Sequence, residues 1–343
     1  MLGHSGLAGR VWSVCLRYRI SPSNGFHVRV LGVRQRGCGV ARQISYTLQI
    51  GTRFDGGVPL IWSIMRDEGL HARGVVVPRP KRYRNLLAAR VAAFDGTPAS
   101  RDNLNALFGL DQHNPDSDLH FVLRITDLMQ PPRHFCPAGD WFYEIGPRAA
   151  HYRSVLAPAP VTFAISVCNP AVMLSRAWAS GEYPGIDVIV PDPFELRWAT
   201  VLREVRQSCP EAPIIAWAAE EAPMIWGQVL KAVARTESDF SEAAQMHAAN
   251  AVMNEEGKMR LSDYLNSHAD MPADLRARVI SIFLKRFVKE GEGKADIAIP
   301  GWSDAMQARM DQHYAEDLAE VAQIEGVDLI RLRSRSYAGE NGR

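Results

Sequence analysis

The sequence predicts an α/β protein with a central parallel sheet flanked by helices, and three observations predict it. Runs of strand length rich in β-branched and aromatic residues alternate with helical stretches of 10–15 residues. The run VTFAISV at 161–167 is almost continuously apolar, as in a strand covered on both faces. Strands separated by helices pair in parallel, because a parallel connection needs a crossover of helix length.

The elements follow in order. QISYTLQI (43–50) reads as a strand that stops at Gly51, and VPLIWSIM (58–65) as a helix with Pro59 in its first turn. GVVVP (74–78) is a short buried strand, followed by a basic helix over 81–93, a second helix over about 100–109, and the strand LHFVLRI (119–125). Residues 128–147 carry four prolines and two glycines and read as a long loop suited to a binding or lid role. A helix around 147–156 leads to the strand at 161–167, after which Asn169 and Pro170 supply a cap and a first-turn proline for another helix. A helix over 194–207, the strand PIIAWA (213–218) and a helix from Pro223 repeat the alternation. Beyond about residue 236 the chain reads as helical. Stripes at Leu275, Val279, Ile282, Phe283 and Phe287, and at Met306, Met310, Tyr314 and Leu318, have the spacing of core-facing positions.

With 343 residues and 47% hydrophobic content the chain can bury a sizeable core, and its composition excludes a disordered or collagen-like polymer. The formal net charge of +1 gives no general reason to expect nucleic acid or an anionic membrane as partner. No stretch reaches the ~18 consecutive apolar residues of a membrane-spanning helix. The charge is unevenly spread: eight arginines and no acid precede Asp55, which leaves 31 basic against 38 acidic residues, a charge of −7, in the remainder.

Residues 1–40 compete between a targeting peptide, a basic arm and an extension outside the folded unit. Residues 11–20 are too short and too interrupted by Arg17 and Arg19 for a secretory core, and glycines and Pro22 break any amphipathic helix, so a disordered or non-native extension is expected. A single α/β domain is expected over 43–330, with 236–325 as its helical C-terminal part and 331–343 as a frayed tail. Five scattered cysteines without C-x-x-C spacing indicate neither a disulfide framework nor a zinc site, which points to a cytoplasmic protein without a metal. His113, His120, His134 and His151 read as ordinary histidines rather than ligands.

In open α/β sheets ligands bind at the carboxyl ends of the strands, so candidate residues belong to the loops after 50, 125, 167 and 218. The first, GTRFDGG (51–57), has the glycines that let backbone N–H groups cradle phosphate ahead of a helix, but Gly57 and Val58 replace the Lys-Ser/Thr of a Walker A motif. There is no G-x-G-x-x-G, G-x-S-x-G or H-E-x-x-H, so dinucleotide, serine-hydrolase and zincin chemistries lack support.

The order of segments resembles the bacterial sulfotransferase-like family: strand, glycine loop and helix near residue 50; ISVCNP at 165–170 with Ser175 and Arg176 in the next helix; WAAEE at 217–221; and YAEDL at 314–318. The resemblance spans about residues 43–330 and rests on order and spacing. It implies a P-loop NTPase-like fold and sulfuryl transfer from 3′-phosphoadenosine 5′-phosphosulfate to a hydroxyl or amine of an unidentified acceptor. It further implies nucleotide contacts from Gly51, Thr52 and Arg53, where Thr52 replaces the family's lysine, and from Asn169, Ser175 and Arg176, where Cys168 replaces its arginine. Asp127, His134 and Glu144 are the candidate general bases, and Glu220 and Glu221 would cap and orient the helix after them. A non-catalytic domain that binds a phosphorylated ligand or a protein partner is the alternative.

Overall fold

The computed structural model describes residues 42–52, 54, 60–126, 142, 144–182, 192–289, 297 and 299–332. The expected extension at 1–40 lies outside them, as does the expected frayed tail at 331–343 except for Arg331 and Leu332, which are held by Glu221 rather than frayed. Six parallel strands form one sheet in the order β2-β3-β1-β4-β5-β6, made of β1 (Ile44–Ile50), β2 (Val75–Val76), β3 (Leu119–Arg124), β4 (Val161–Val167), β5 (Ile214–Ala218) and β6 (Val327–Ile330). The crossovers contain α1 (Leu60–Ile64), α2 (Pro80–Ala92), α3 (Arg101–Phe108), α4 (Ile145–Leu156), α5 (Pro170–Ala179), α6 (Trp198–Ser208) and α7 (Ala222–Ala234). Four further helices, α8 (Glu242–Gln245), α9 (His247–Val252), α10 (Glu255–Asn266) and α11 (Ala273–Phe287), precede α12 (Asp304–Val321) and the last strand. The α/β architecture with its parallel sheet is therefore as expected.

Strand alternation sorts the core into two layers. Tyr46, Leu48 and Ile50 of β1, Phe121 and Leu123 of β3, and Phe163 and Ile165 of β4 face α2–α6 and α12. The other face sends Val122, Ala164, Ile215 and Trp217 against α1 and α7–α9. A smaller apolar cluster, including Met253, Leu261, Ile280 and Phe287, joins α9–α11. β4 is buried along its whole length because it lies between β1 and β5 and is covered on both faces, which explains its continuous apolar run.

Local signals start and stop these helices, and those read for the helix after residue 169 act as expected. Ser100 caps α3 by accepting the Asn103 N–H, and Gly109 ends the helix at φ +69°, a conformation that costs glycine little. Asn169 caps α5 through the Ala171 N–H, with Pro170 in the first turn.

Three expectations need correction. The C-terminal part is not wholly helical: residues 327–330 pair in parallel with β5, Ile214 opposite Val327 and Trp217 opposite Ile330. This edge strand is short and half-exposed, so it carries no strong alternation, and its partner lies more than a hundred residues away. The helix expected over 194–207 is split into a 3-10 turn, Pro193–Glu195, and α6, with extended backbone at Leu196 and Arg197. In the α11 stripe, Val279 and Phe287 are buried but Leu275 and Ile282 are exposed, because the helix packs on α7 and α10 along one side only.

Candidate functional site

The connections after β1 and β4 run in opposite directions across the sheet. β1 leads through α1 toward β2, whereas β4 leads through α5 and α6 toward β5, so the strand order reverses between these two neighbours. A crevice opens outside the carboxyl ends at such a reversal. The loop beginning at Gly51 and the segment 168–176 leave the sheet on its two sides.

Gly51 turns the chain off β1 with φ +108°, in a region where a side chain would be strained. Thr52 is buried, and its hydroxyl accepts the Phe54 N–H at 3.2 Å, a local turn bond that commits one lone pair to the loop itself. Arg53 lies outside the described residues. At the end of the neighbouring β4, Cys168 is fully buried and its carbonyl accepts the indole N–H of Trp198 at 2.7 Å. A buried thiol cannot supply the cationic contact that an arginine there would make.

Asn169 is committed at three atoms. Its side-chain oxygen caps α5 at 3.0 Å, its amide nitrogen donates to Asp311 on α12 at 2.7 Å, and its backbone N–H donates to Glu220 at 2.7 Å. Glu220 in turn accepts the Tyr314 hydroxyl at 3.0 Å, while the Val167 carbonyl lies 3.2 Å from the same hydroxyl. Burial pushes the Glu220 carboxyl above its ordinary range, opposed by the bonds from Asn169 and Tyr314 and by the charge of Arg176. Burial and the neighbouring Glu220 push the Tyr314 phenol well above its usual value, so it remains a donor. A carboxylate supplied by the protein therefore sits at the amino end of α5, where backbone N–H groups and the helix dipole favour an anion.

Residues adjacent on a helix point about 100° apart, and Ser175 and Arg176 are separated accordingly: Ser175 is buried and Arg176 exposed. Arg176 lies seven residues beyond the cap, on the Asn169 side of α5, which explains why its charge reaches Glu220. Of the expected bases, Asp127 and His134 lie outside the described residues. Glu144 begins α4 at φ +58°, with its carboxylate 3.9 Å from Arg148.

The roles expected of the acidic pair are corrected. Neither Glu220 nor Glu221 caps α7 through its side chain. Glu220 ties β5 to α5 and α12, and Glu221 binds the Arg331 guanidinium at 2.7 and 2.9 Å and the Leu332 N–H at 2.7 Å. Strand-end position singled out Glu220 and core-facing spacing singled out Tyr314, but nothing local announces that Tyr314 and Asp311 reach Glu220 and Asn169 from a helix that is distant in sequence.

On the opposite face of the same sheet edge, four adjacent strands each bring a buried polar atom that has no hydrogen-bond partner among the described residues: Thr126 Oγ1 after β3, Gln49 Oε1 on β1, Ser166 Oγ on β4 and Trp217 Nε1 on β5. The pairing of Gln49 with Ala164 and of Ser166 with Trp217 places the row on one face. Each such group costs about 1–3 kcal/mol when its bond goes unmade, so the row suits a polar occupant or ordered water. Among the described residues no group of three or more His, Cys, Asp or Glu side chains is arranged to hold a metal ion, and no helix is long and apolar enough to cross a membrane.

No family model and no curated protein matches this chain.

Proposed function

We propose that the chain is a sulfotransferase-like protein of P-loop NTPase-like fold. In this reading it takes 3′-phosphoadenosine 5′-phosphosulfate across the carboxyl ends of β1 and β4 and passes the sulfuryl group to an acceptor hydroxyl or amine. The observation behind this reading is the reversal of strand order between β1 and β4. The two segments that the resemblance assigns to the phosphates, 51–53 and 168–176, leave neighbouring strands there, so one nucleotide can span both. In the transfer, the acceptor oxygen or nitrogen attacks sulfur, the bond from sulfur to the 5′-phosphate oxygen breaks, and 3′-phosphoadenosine 5′-phosphate leaves. The acceptor proton passes to a base, for which Asp127 and His134 are the proposed residues. Arg53 and Arg176 are the cations proposed to meet the phosphates that Thr52 and Cys168 cannot.

The test is calorimetric titration of the full chain with 3′-phosphoadenosine 5′-phosphate, with ATP as control. Selective micromolar binding is expected. Replacing the exposed Arg176 by alanine should weaken it about tenfold or more, the effect of losing a charge-assisted contact worth about 1.5–3 kcal/mol. Unchanged affinity in Arg176→Ala would remove this residue from the site.

The second reading, a non-catalytic domain, is favoured by one observation: the Glu220 carboxylate already sits at the α5 amino end. A like charge there opposes a 3′-phosphate. In that case the wild-type chain binds neither nucleotide, and Glu220→Gln, which removes the charge while keeping an acceptor for Asn169, gains affinity for 3′-phosphoadenosine 5′-phosphate of about tenfold or more. Equal absence of binding in both proteins would show that Glu220 is not what excludes the nucleotide.

A further inference from the structure

The amino-terminal edge of the sheet, opposite the crevice just described, holds a cavity of about 1030 Å³. Arg42 enters it immediately ahead of β1. The Arg42 Nη1 donates to the Leu110 carbonyl at 3.2 Å, which anchors the guanidinium. Its Nε and Nη2, the two donors along the other edge, are buried and have no partner among the described residues. These two N–H groups point in parallel and match the two oxygens of a carboxylate or phosphate. A buried guanidinium edge left without an acceptor is costly, and such an edge in a native protein calls for an explanation.

A second orphan lies close by. The Tyr46 hydroxyl, four residues further along and on the same strand face, is buried and also lacks a partner among the described residues. It shares the cavity wall with Arg42 and Arg101. Arg101 is exposed, 3.5 Å from Asp111, and its like charge acts against that of Arg42, while Asp111 offsets it. Arg73 and Arg235 also line it, and Asp118 is the one acid among the described lining residues, its carboxylate accepting the Gln43 N–H at 2.8 Å. Ala99, Leu104, Leu110, Leu156 and Pro158 supply apolar wall, with Ser45 and His120 as further polar lining. A concave, mostly apolar wall with a few convergent polar groups is the form of a small-molecule site.

We infer that this cavity binds an organic carboxylate with an apolar body. The carboxylate pairs with the Arg42 Nε–Nη2 edge, accepts the Tyr46 hydroxyl and bridges toward Arg101, and the body packs on the leucines. The site is independent of the proposed nucleotide crevice, since it lies at the other ends of the same strands.

The experiment is calorimetric titration of the full chain at low salt with sodium octanoate and, separately, with sodium phosphate, which carries the charge without the body. Octanoate should bind saturably and more tightly than phosphate. Arg42→Gln should weaken octanoate at least tenfold with an unchanged far-ultraviolet circular dichroism spectrum. Arg101→Gln, an exposed change that leaves the fold untouched, should weaken it several-fold and keeps the test decisive even where Arg42→Gln misfolds. Absence of saturable octanoate binding, an affinity unchanged by Arg101→Gln or by folded Arg42→Gln, or phosphate binding as tight as octanoate would each overturn the assignment.

Discussion

Asp317→Ala is expected to destabilise the protein by about 3–5 kcal/mol, because it removes the acceptor of two charge-assisted bonds from buried amides, each worth about 1.5–3 kcal/mol. Asp317 is fully buried on α12, and its two oxygens accept the first N–H groups of α6, from Trp198 at 2.6 Å and Ala199 at 3.0 Å. The residue at the N-cap position of α6, Arg197, provides no side-chain cap, so a carboxylate from a distant helix does that work. Burial raises the Asp317 carboxyl above its ordinary range, while the two amides and Arg197, 3.6 Å away, hold it down. With alanine, two N–H groups at a positive helix end are left in the interior without acceptor or counter-charge. Asp317→Asn keeps one acceptor and should cost less than Asp317→Ala. Urea unfolding of the three proteins checks this; equal midpoints for wild type and alanine variant would show that water or a neighbour replaces the carboxylate.

His120 should make stability rise with pH between about 4 and 6.5. It is buried on β3, with Nδ1 2.8 Å from the Ser45 hydroxyl and Nε2 3.0 Å from both the Thr47 hydroxyl and the Val233 carbonyl. A carbonyl only accepts, so Nε2 carries the proton and Nδ1 accepts from Ser45. Burial pulls the pKa down to about 4, opposed by the bond to Val233 and assisted by the charge of Arg235. The unfolded chain, with an ordinary imidazole, takes up its proton first as pH falls from 6.5. The neutral histidine's contribution is therefore complete above 6.5 and is lost as pH falls toward 4, by about 3 kcal/mol at 1.4 kcal/mol per unit. Glu220 works in the opposite direction, since its raised folded value makes its contribution largest at low pH and smaller as pH rises above the ordinary carboxylate range. The isolating measurement compares urea unfolding of wild type and His120→Gln from pH 4.5 to 7. The steeper rise belongs to the wild type; parallel curves would show that His120 stays protonated or exposed.

Most strands and helices were legible because their signals are local. β1 and β4 are apolar runs of strand length, and α3 and α5 carry their caps, Ser100 and Asn169, in the sequence. β6 was not, because an edge strand half open to solvent needs no continuous apolar run and is defined by its pairing with β5. The site was half legible: strand ends pointed to Gly51, Asn169 and Glu220, and the glycine at φ +108° stands where the chain must leave the sheet sharply. The use to which those residues are put was hidden, since Tyr314 and Asp311 reach Glu220 and Asn169 from α12.

By itself, the sequence determined the class of fold and the order of most of its elements, because periodicity, capping and glycine conformation act over a few residues. Only the tertiary structure decided that the α5 amino end is met by the protein's own Glu220, and that Asp317 caps a helix more than a hundred residues before it. It also decided that Arg42 keeps a buried donor edge unpaired among the described residues. The physical reason is common to all three: whether a buried charge or donor finds a partner depends on what the fold brings within about 3 Å, and that is set by how the crossovers wind around the sheet.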